Sequence, residues 1–374
     1  MLYVHIPYCH HKCTYCAFYS VARPKDTDSY VDALCLELKA RKTDTPLRTV
    51  YFGGGTPTML TLEQLHRIVD TIRDGYNLSL LEEATIEANP ENLVPEYLEG
   101  LANLHFFNRI SIGIQSFSDD ELKMLNRVHT SQQAYSAILN VAAAGFDNVS
   151  VDLIMGLPHP YGVGLQYSLD HLDEFLPLGV IKHLSCYELT VEPGTMLERQ
   201  LKTGRLQLCY DEDLASQYDM LLSWCQNNGF EQYEVSNFGK PGYHSRHNSR
   251  YWNRTPYIGV GAGAHSFDGS NRRWNLPDIS RYIIGAGAGN IPFEEEKLTS
   301  ADAFNEYIMT ALRTVNGVDK NVLASLVSTA ELEGIKPKID RLVKIGLIAE
   351  TETHFQPTSS GLLQADGIAA SLFL

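Results

Sequence analysis

The chain has 374 residues, 44% of them apolar and 20% charged, which suits a soluble globular protein with one large core and a smaller companion domain. Its formal net charge of −15 argues against a broad nucleic-acid-binding surface, and no nucleic-acid partner is expected. Seven cysteines, an odd number spread thinly outside one N-terminal loop, do not form a disulfide framework and favour a reducing compartment.

Short β-type runs alternate with amphipathic stretches through the first half. The strands are predicted at 2–6, 49–53, 83–88, 109–115, 149–155 and 183–189, with helices between them at 29–41, 61–74, 118–125 and 132–145. Two of these helices open on capping-box patterns, Thr61-x-x-Gln64 and Ser118-x-x-Glu121. Such alternation predicts parallel βα units, forming a barrel or an open sheet. Polar residues collect at the strand C-terminal ends: Gly54, Gly55, Thr56, Glu87, Gln115 and Asp152. That is where a (β/α) barrel places its active site. The expected fold is therefore α/β, a partial six-unit (β/α) barrel resembling a TIM barrel.

A helix near 211–228 then leads to a basic aromatic loop at 242–254 and to "YIGVGAGAHSF" at 257–267. From about 298 the composition changes to three helices, at 300–315, 319–327 and 330–345, followed by a short β ribbon. This order predicts a winged-helix-like α+β module. The expected organisation is a barrel over 1–240, a linking segment over 241–297 and the small domain over 298–374. The N-terminus lacks the pattern of a signal peptide, and no apolar run is long enough to span a bilayer. A cytoplasmic location is expected, with peripheral attachment to a membrane as its only variant.

"YCHHKCTYCAF" (8–18) follows the first strand and holds Cys9, Cys13 and Cys16. Three nearby thiolates repel one another unless a metal centre takes up their charge. Zinc would need a fourth ligand from His5, His10 or His11. A redox pair of Cys13 and Cys16 would leave Cys9 without a part. A [4Fe–4S] cluster normally takes four thiolates, so three would leave one iron open. "GGGTPT" (53–58) is not a phosphate-binding Walker loop, and "GAGAG" (285–289) lacks the dinucleotide-binding glycine spacing.

The cysteine spacing after the first strand, with "YFGGGTPT" after the second, resembles the radical S-adenosylmethionine (SAM) enzymes. Adding "RISIGIQSF", "LNRVH" and "VDLIMGLP", the chain is similar to the oxygen-independent coproporphyrinogen III oxidase-like group over essentially its whole length. The resemblance implies a [4Fe–4S] cluster on Cys9, Cys13 and Cys16, with SAM on the open iron and an electron donor. It implies that Tyr3, Gly54 and Glu87 contact this SAM. It also implies that Gly55, Thr56, Gln115, Arg127 and Asp152 match positions that hold a second SAM.

Three features separate the branches of the group. The decarboxylating enzymes have a further cysteine two residues after the triplet, where this chain has Phe18. They also carry a long segment ahead of the first strand, and this chain begins two residues before Tyr3. Finally, "HNSRYWN" (247–253) contains the His-Asn-x-x-Tyr-Trp pattern of the branch that binds haem and passes it to acceptor proteins, respiratory cytochromes at the membrane among them. Arg246, Arg250 and Arg254 suit haem propionates, and Tyr251 and Trp252 suit a porphyrin face. His247 is the expected iron ligand, with His244 next. The alternative is oxidative decarboxylation of coproporphyrinogen III to protoporphyrinogen IX.

Overall fold

The computed structural model describes residues 1–22, 25–158 and 164–374. Six parallel strands lie side by side in chain order: β1 (Leu2–Ile6), β2 (Thr49–Gly54), β3 (Glu83–Ala88), β4 (Arg109–Gln115), β5 (Val149–Met155) and β6 (Ile181–Glu188). Helices Thr27–Ala40, Leu62–Gly75, Pro95–Asn103, Ser131–Ala143 and Leu165–Asp173 make the crossovers. This is the partial (β/α)6 barrel expected from the strand–helix alternation, and each predicted strand is present within two residues of its expected bounds.

The strands alternate strictly, because successive side chains point to opposite faces. Leu2, Val4, Ile6, Val50, Phe52, Ala84, Ile86, Ile110, Ile112, Val151 and Leu184 belong to the main buried apolar cluster with the helices. The intervening residues are polar: Tyr3, His5, Thr49, Tyr51, Glu83, Thr85, Glu87, Arg109, Ser111, Ser150, Asp152, His183 and Ser185. Arg109 is 1% exposed, and Glu83, Tyr51 and Asp152 act on its charge from other strands. A polar interior of this kind holds its shape by hydrogen bonds rather than by branched apolar packing.

Thr61 and Gln64 form the expected reciprocal capping box. At the second site Ser118 accepts the Glu121 N–H, while the Glu121 carboxylate takes the Ser116 hydroxyl.

Two parts of the expected linking segment differ from the sequence reading. Ile258–Val260 is a further parallel strand, paired with β1 at the sheet edge. The opposite edge is the antiparallel hairpin Glu231–Glu234 and Asn237–Gly239. The expected loop at 242–254 contains a helix, Arg246–Trp252, capped by Ser245 accepting the Asn248 N–H. Past 298 come helices Ser300–Ala311, Lys320–Leu326 and Thr329–Lys344 and the ribbon Ile348–Glu350/His354–Pro357, in winged-helix order. Two further helices, Ser359–Leu363 and Ala365–Leu372, close the chain; the second packs on Ser300–Ala311. No helix among the described residues is long and apolar enough to cross a membrane.

Glu37, 1% exposed on helix Thr27–Ala40, ties the edge strand's segment to the barrel. Its carboxylate accepts from Gly261 N (2.8 Å), Asn275 Nδ2 (2.8 Å) and the Tyr282 hydroxyl (2.6 Å). Arg41 lies 3.6 Å away. Replacing Glu37 with leucine leaves those buried donors without an acceptor, and is expected to cost about 3 kcal/mol. Urea denaturation checks this; Glu37→Gln, which keeps an acceptor oxygen, should lose less.

Candidate functional site

The cysteine loop leaves β1 and lies over the strand ends. Tyr8–Cys9 pairs in parallel with Val21–Ala22. Inside the loop the Thr14 N–H donates to Leu125 O (3.0 Å), its hydroxyl donates to Met124 O (3.4 Å), and its carbonyl accepts the Leu197 N–H (2.9 Å). Asn126 Nδ2 donates to Lys12 O (2.8 Å). His5 holds the far side: its Nε2 donates to the Tyr19 carbonyl (3.0 Å), which fixes the tautomer, so Nδ1 accepts the Tyr3 hydroxyl (3.0 Å). Burial pushes the His5 pKa down to about 4, keeping the ring neutral.

Cys9, Cys13 and Cys16 are free and half-buried. Burial raises the Cys9 and Cys16 thiols above their ordinary range, and the charge of Cys13 adds to both shifts. Phe18, two residues after Cys16, is 71% exposed.

Beside the loop, β2 ends on Gly54 with φ +110°, a conformation that disfavours any side chain; a Cβ there would also lie 2.3 Å from the His5 ring. Its N–H donates to Glu87 Oε2 (3.2 Å), and the Tyr51 hydroxyl donates to Glu87 Oε1 (2.6 Å). Burial raises the Glu87 pKa to about 7, with the Tyr51 hydrogen bond offsetting part of the shift. Gly55 N donates to Ile6 O (2.8 Å) and Thr56 N to Tyr8 O (2.7 Å), so the glycine-rich turn after β2 is laced to the end of β1 and to the start of the cysteine loop. Asp152 accepts from Ser111 (3.1 Å) and Ser150 (3.4 Å), and burial raises its pKa. Gln115 ends β4 in the left-handed region, φ +68°.

Gly54, Gly55, Thr56, Glu87, Gln115 and Arg127 thus share the strand-end region with the three cysteines, whereas Tyr3, level with Tyr51, and Asp152, the middle residue of β5, lie lower in the barrel. His247 does not share that region. It hydrogen-bonds Thr49, the first residue of β2, five steps and about 16 Å along the strand from Gly54. His247 is 0% exposed. Its Nδ1 is 2.8 Å from Thr49 Oγ1, its Nε2 is 3.0 Å from the Tyr251 hydroxyl, and its ring lies 5.0 Å from that of Tyr51. Burial holds its pKa down at about 3. Helix Arg246–Trp252 therefore closes the barrel floor, with the N–H groups of Arg246 and His247 both on the Glu83 carboxylate (2.9 Å each).

The three arginines expected to meet propionates have acidic partners within the chain. Arg246 and Arg250 face Glu82 at 3.0 and 3.6 Å, and Arg254 faces Glu306 at 3.2 Å. His244 stacks on Tyr233 with ring centroids 4.4 Å apart, 3.5 Å from Glu231. Trp252 lines a cavity of about 490 Å³ between the floor helix and the C-terminal domain, with Arg254, Phe267, Tyr307, Leu326 and His354.

Sequence reasoning missed Tyr51 and Asn89, and weighed His5 only as a zinc ligand. Asn89 carried a usable signal: it stands two residues after Glu87, so the alternation of β3, continued past its end, turns both toward one face.

Residues 3–161 match the Radical SAM superfamily, and residues 298–363 match the HemN C-terminal domain. The chain is 35% identical over 368 residues to the protein named Heme chaperone HemW of Bacillus subtilis, covering 96% of each. It is 32% identical over 378 residues to the Escherichia coli protein of that name, covering 97% of this chain and 95% of that one. Among solved structures, E. coli coproporphyrinogen III oxidase (HemN), titled a radical SAM enzyme, matches with a TM-score of 0.84 over 100% of this chain and 89% of its own. At 22% identity that likeness speaks for the fold alone. The chain belongs to the HemW family within the radical SAM superfamily.

Proposed function

We propose that this protein is a haem chaperone on a radical SAM scaffold, holding a [4Fe–4S] cluster, SAM and haem, and delivering haem to acceptor proteins. The observation that carries the reading is the near-full-length likeness to proteins named heme chaperones. The donor set supports the cluster: three free thiols on one tied-down loop, each near enough to influence the others' charge. When bound, such a cluster supplies one electron and an open iron. Gly54 offers backbone atoms, Glu87 a carboxylate and Tyr3 an aromatic wall to one SAM. Gly55 and Gln115 lie at neighbouring strand ends, with Asp152 below them at the middle of β5.

Haem fits this conformation less directly. With both His247 nitrogens engaged, iron reaches His247 only after helix Arg246–Trp252 leaves the floor. The free energy of that opening subtracts from haem affinity. A carrier that must surrender its ligand is well served by such a closing helix.

Anaerobically reconstituted protein should bind four irons, and Cys13→Ala should abolish the cluster. Haem-loaded protein should transfer haem to an apo-cytochrome; failure to bind or pass haem would end the chaperone reading while leaving the cluster assignment intact.

A carboxyl with pKa about 7 is mostly neutral at pH 6 and mostly ionised at pH 8. If the ionised form receives the cationic SAM, affinity should rise about tenfold across that interval. Calorimetric titration at several pH values checks it, and Glu87→Gln should flatten the profile.

His247→Ala should shift the Soret band of bound haem while leaving cluster iron unchanged. The same variant should lose about 2 kcal/mol of stability, since the Thr49 and Tyr251 hydroxyls lose their partner. Haem addition to the parent protein should speed amide hydrogen exchange over 246–252. An unchanged Soret band and unchanged exchange would leave His247 as a floor residue alone.

A further inference from the structure

Arg127 and Thr56, expected to hold a second SAM, are joined in this structure through Asn89 to two of the cluster cysteines. Arg127 Nη1 points to Cys13 Sγ at 3.6 Å. Its Nη2 donates to Asn89 Oδ1 (2.7 Å) and to Gly113 O (2.6 Å). Asn89 Nδ2 donates to Thr56 Oγ1 (3.0 Å), and the Thr56 hydroxyl points to Cys9 Sγ at 3.7 Å.

The polarity of this chain is fixed by its chemistry. A guanidinium only donates, so Asn89 must turn its carbonyl oxygen to Arg127 and its NH₂ to Thr56. Thr56, having accepted from Asn89, has its own O–H left for the sulfur. One positive charge therefore sends hydrogen bonds in two directions, and both end on sulfur.

The local fold is built to hold this arrangement. Asn126 adopts φ +59°, and the Arg127 N–H closes back on Leu122 O (2.8 Å), turning the arginine over the end of β4. That same turn grips the cysteine loop through Leu125 O, Met124 O and the Asn126 side chain. Gly113 leaves room: a Cβ there would lie 3.4 Å from both Arg127 Nη2 and Asn89 Oδ1, and 2.9 Å from Gln115 Nε2. Three of the five Arg127 N–H donors are used, one on Nη1 and both on Nη2. Its buried Nε has no partner among the described residues, but with Nη2 filled neither the Nη1–Nη2 fork nor the Nε–Nη2 fork with which arginine grips a carboxylate is left.

We propose that Thr56, Asn89 and Arg127 form a polar relay that donates to the sulfurs of Cys9 and Cys13, setting the cluster's reduction potential instead of holding a second SAM. The proposal rests on the reading that the three cysteines hold a [4Fe–4S] cluster. Taking up one electron makes a thiolate-ligated cluster more negative. Hydrogen bonds to its sulfurs and a nearby cation stabilise that reduced form and raise the potential.

The test uses the full chain, reconstituted anaerobically and reduced stepwise with dithionite under EPR, with SAM stoichiometry measured by equilibrium dialysis. The parent should bind one SAM per cluster. Asn89→Leu, which cuts the relay while keeping the arginine, and Arg127→Gln, which removes its charge, should each move the midpoint potential to more negative values. SAM stoichiometry should stay at one in both. Thr56→Val, nearly isosteric, removes only the donor to Cys9; it carries the test if the other variants fail to assemble a cluster. An unchanged potential in every variant that holds a cluster would overturn the relay. So would a parent stoichiometry of two that falls to one in Arg127→Gln. A parent chain that binds no iron would instead defeat the cluster reading, an outcome visible before any variant is made.

Discussion

Three thiols crowded onto one half-buried loop are an electrostatic strain that the surrounding structure must answer. Burial raises the Cys9 and Cys16 thiols, so releasing their protons requires positive charge or donors close by. For Cys16 the loop supplies part of this itself, through the Phe18 N–H and the Lys12 charge. For Cys9 and Cys13 more comes from elsewhere in the chain, from the Thr56 hydroxyl and the Arg127 guanidinium, and a tight turn at 124–127 fixes the loop's height above the sheet. His5 stays neutral because it is buried, and its two nitrogens are used up in joining Tyr3 to Tyr19. A floppy loop would let the sulfurs separate and the donors miss them.

The two ends of the barrel are connected through one strand. Near the floor, the His247 ring packs on Tyr51, the third residue of β2; the Tyr51 hydroxyl donates to Glu87, and at the top the other Glu87 oxygen takes the Gly54 N–H. Moving the floor helix would remove one wall of the Tyr51 ring, and that ring orients the carboxylate assigned to SAM. The polar barrel interior makes the link possible. An interior of valine and isoleucine would have separated the two ends with a layer that transmits shape but no hydrogen-bond direction.

The strands and crossover helices were legible because their signal is local. Runs such as "RISIGIQ" and "EATIEA" carry the two-residue period directly, and Thr61-x-x-Gln64 marks its own helix start. The strand-end residues were legible through motif resemblance, which places them together without saying what each one touches. Arg127 shows the gap: its residue type suits a carboxylate, yet its partners are a sulfur, an amide and a carbonyl contributed by three distant segments. The helix at 246–252 was read as a loop because "RHNSRYW" has no apolar period. Its stability comes from the Ser245 cap and from Glu83, more than 160 residues earlier. The strand Ile258–Val260 was hidden because it is only three residues long and Gly259 interrupts its apolar run.

The absence of acids from residues 242–254 made that stretch look ready for an anionic ligand, yet Glu82, Glu83 and Glu306 meet it from other elements. These contacts do not weigh equally against a haem propionate. Arg246 and Arg250 share Glu82 near solvent, where an ion pair contributes about 0–1 kcal/mol, so exchanging one carboxylate for another costs little. Glu83 is different, because it is buried and satisfies the first two N–H groups of the floor helix. His247 is different again, because its hydroxyl partners and its ring contact with Tyr51 all lie inside the barrel. Arg246 and Arg250 would therefore yield to a carboxylate ligand at little cost, whereas iron ligation by His247 would have to break the buried Glu83–His247–Thr49 contacts.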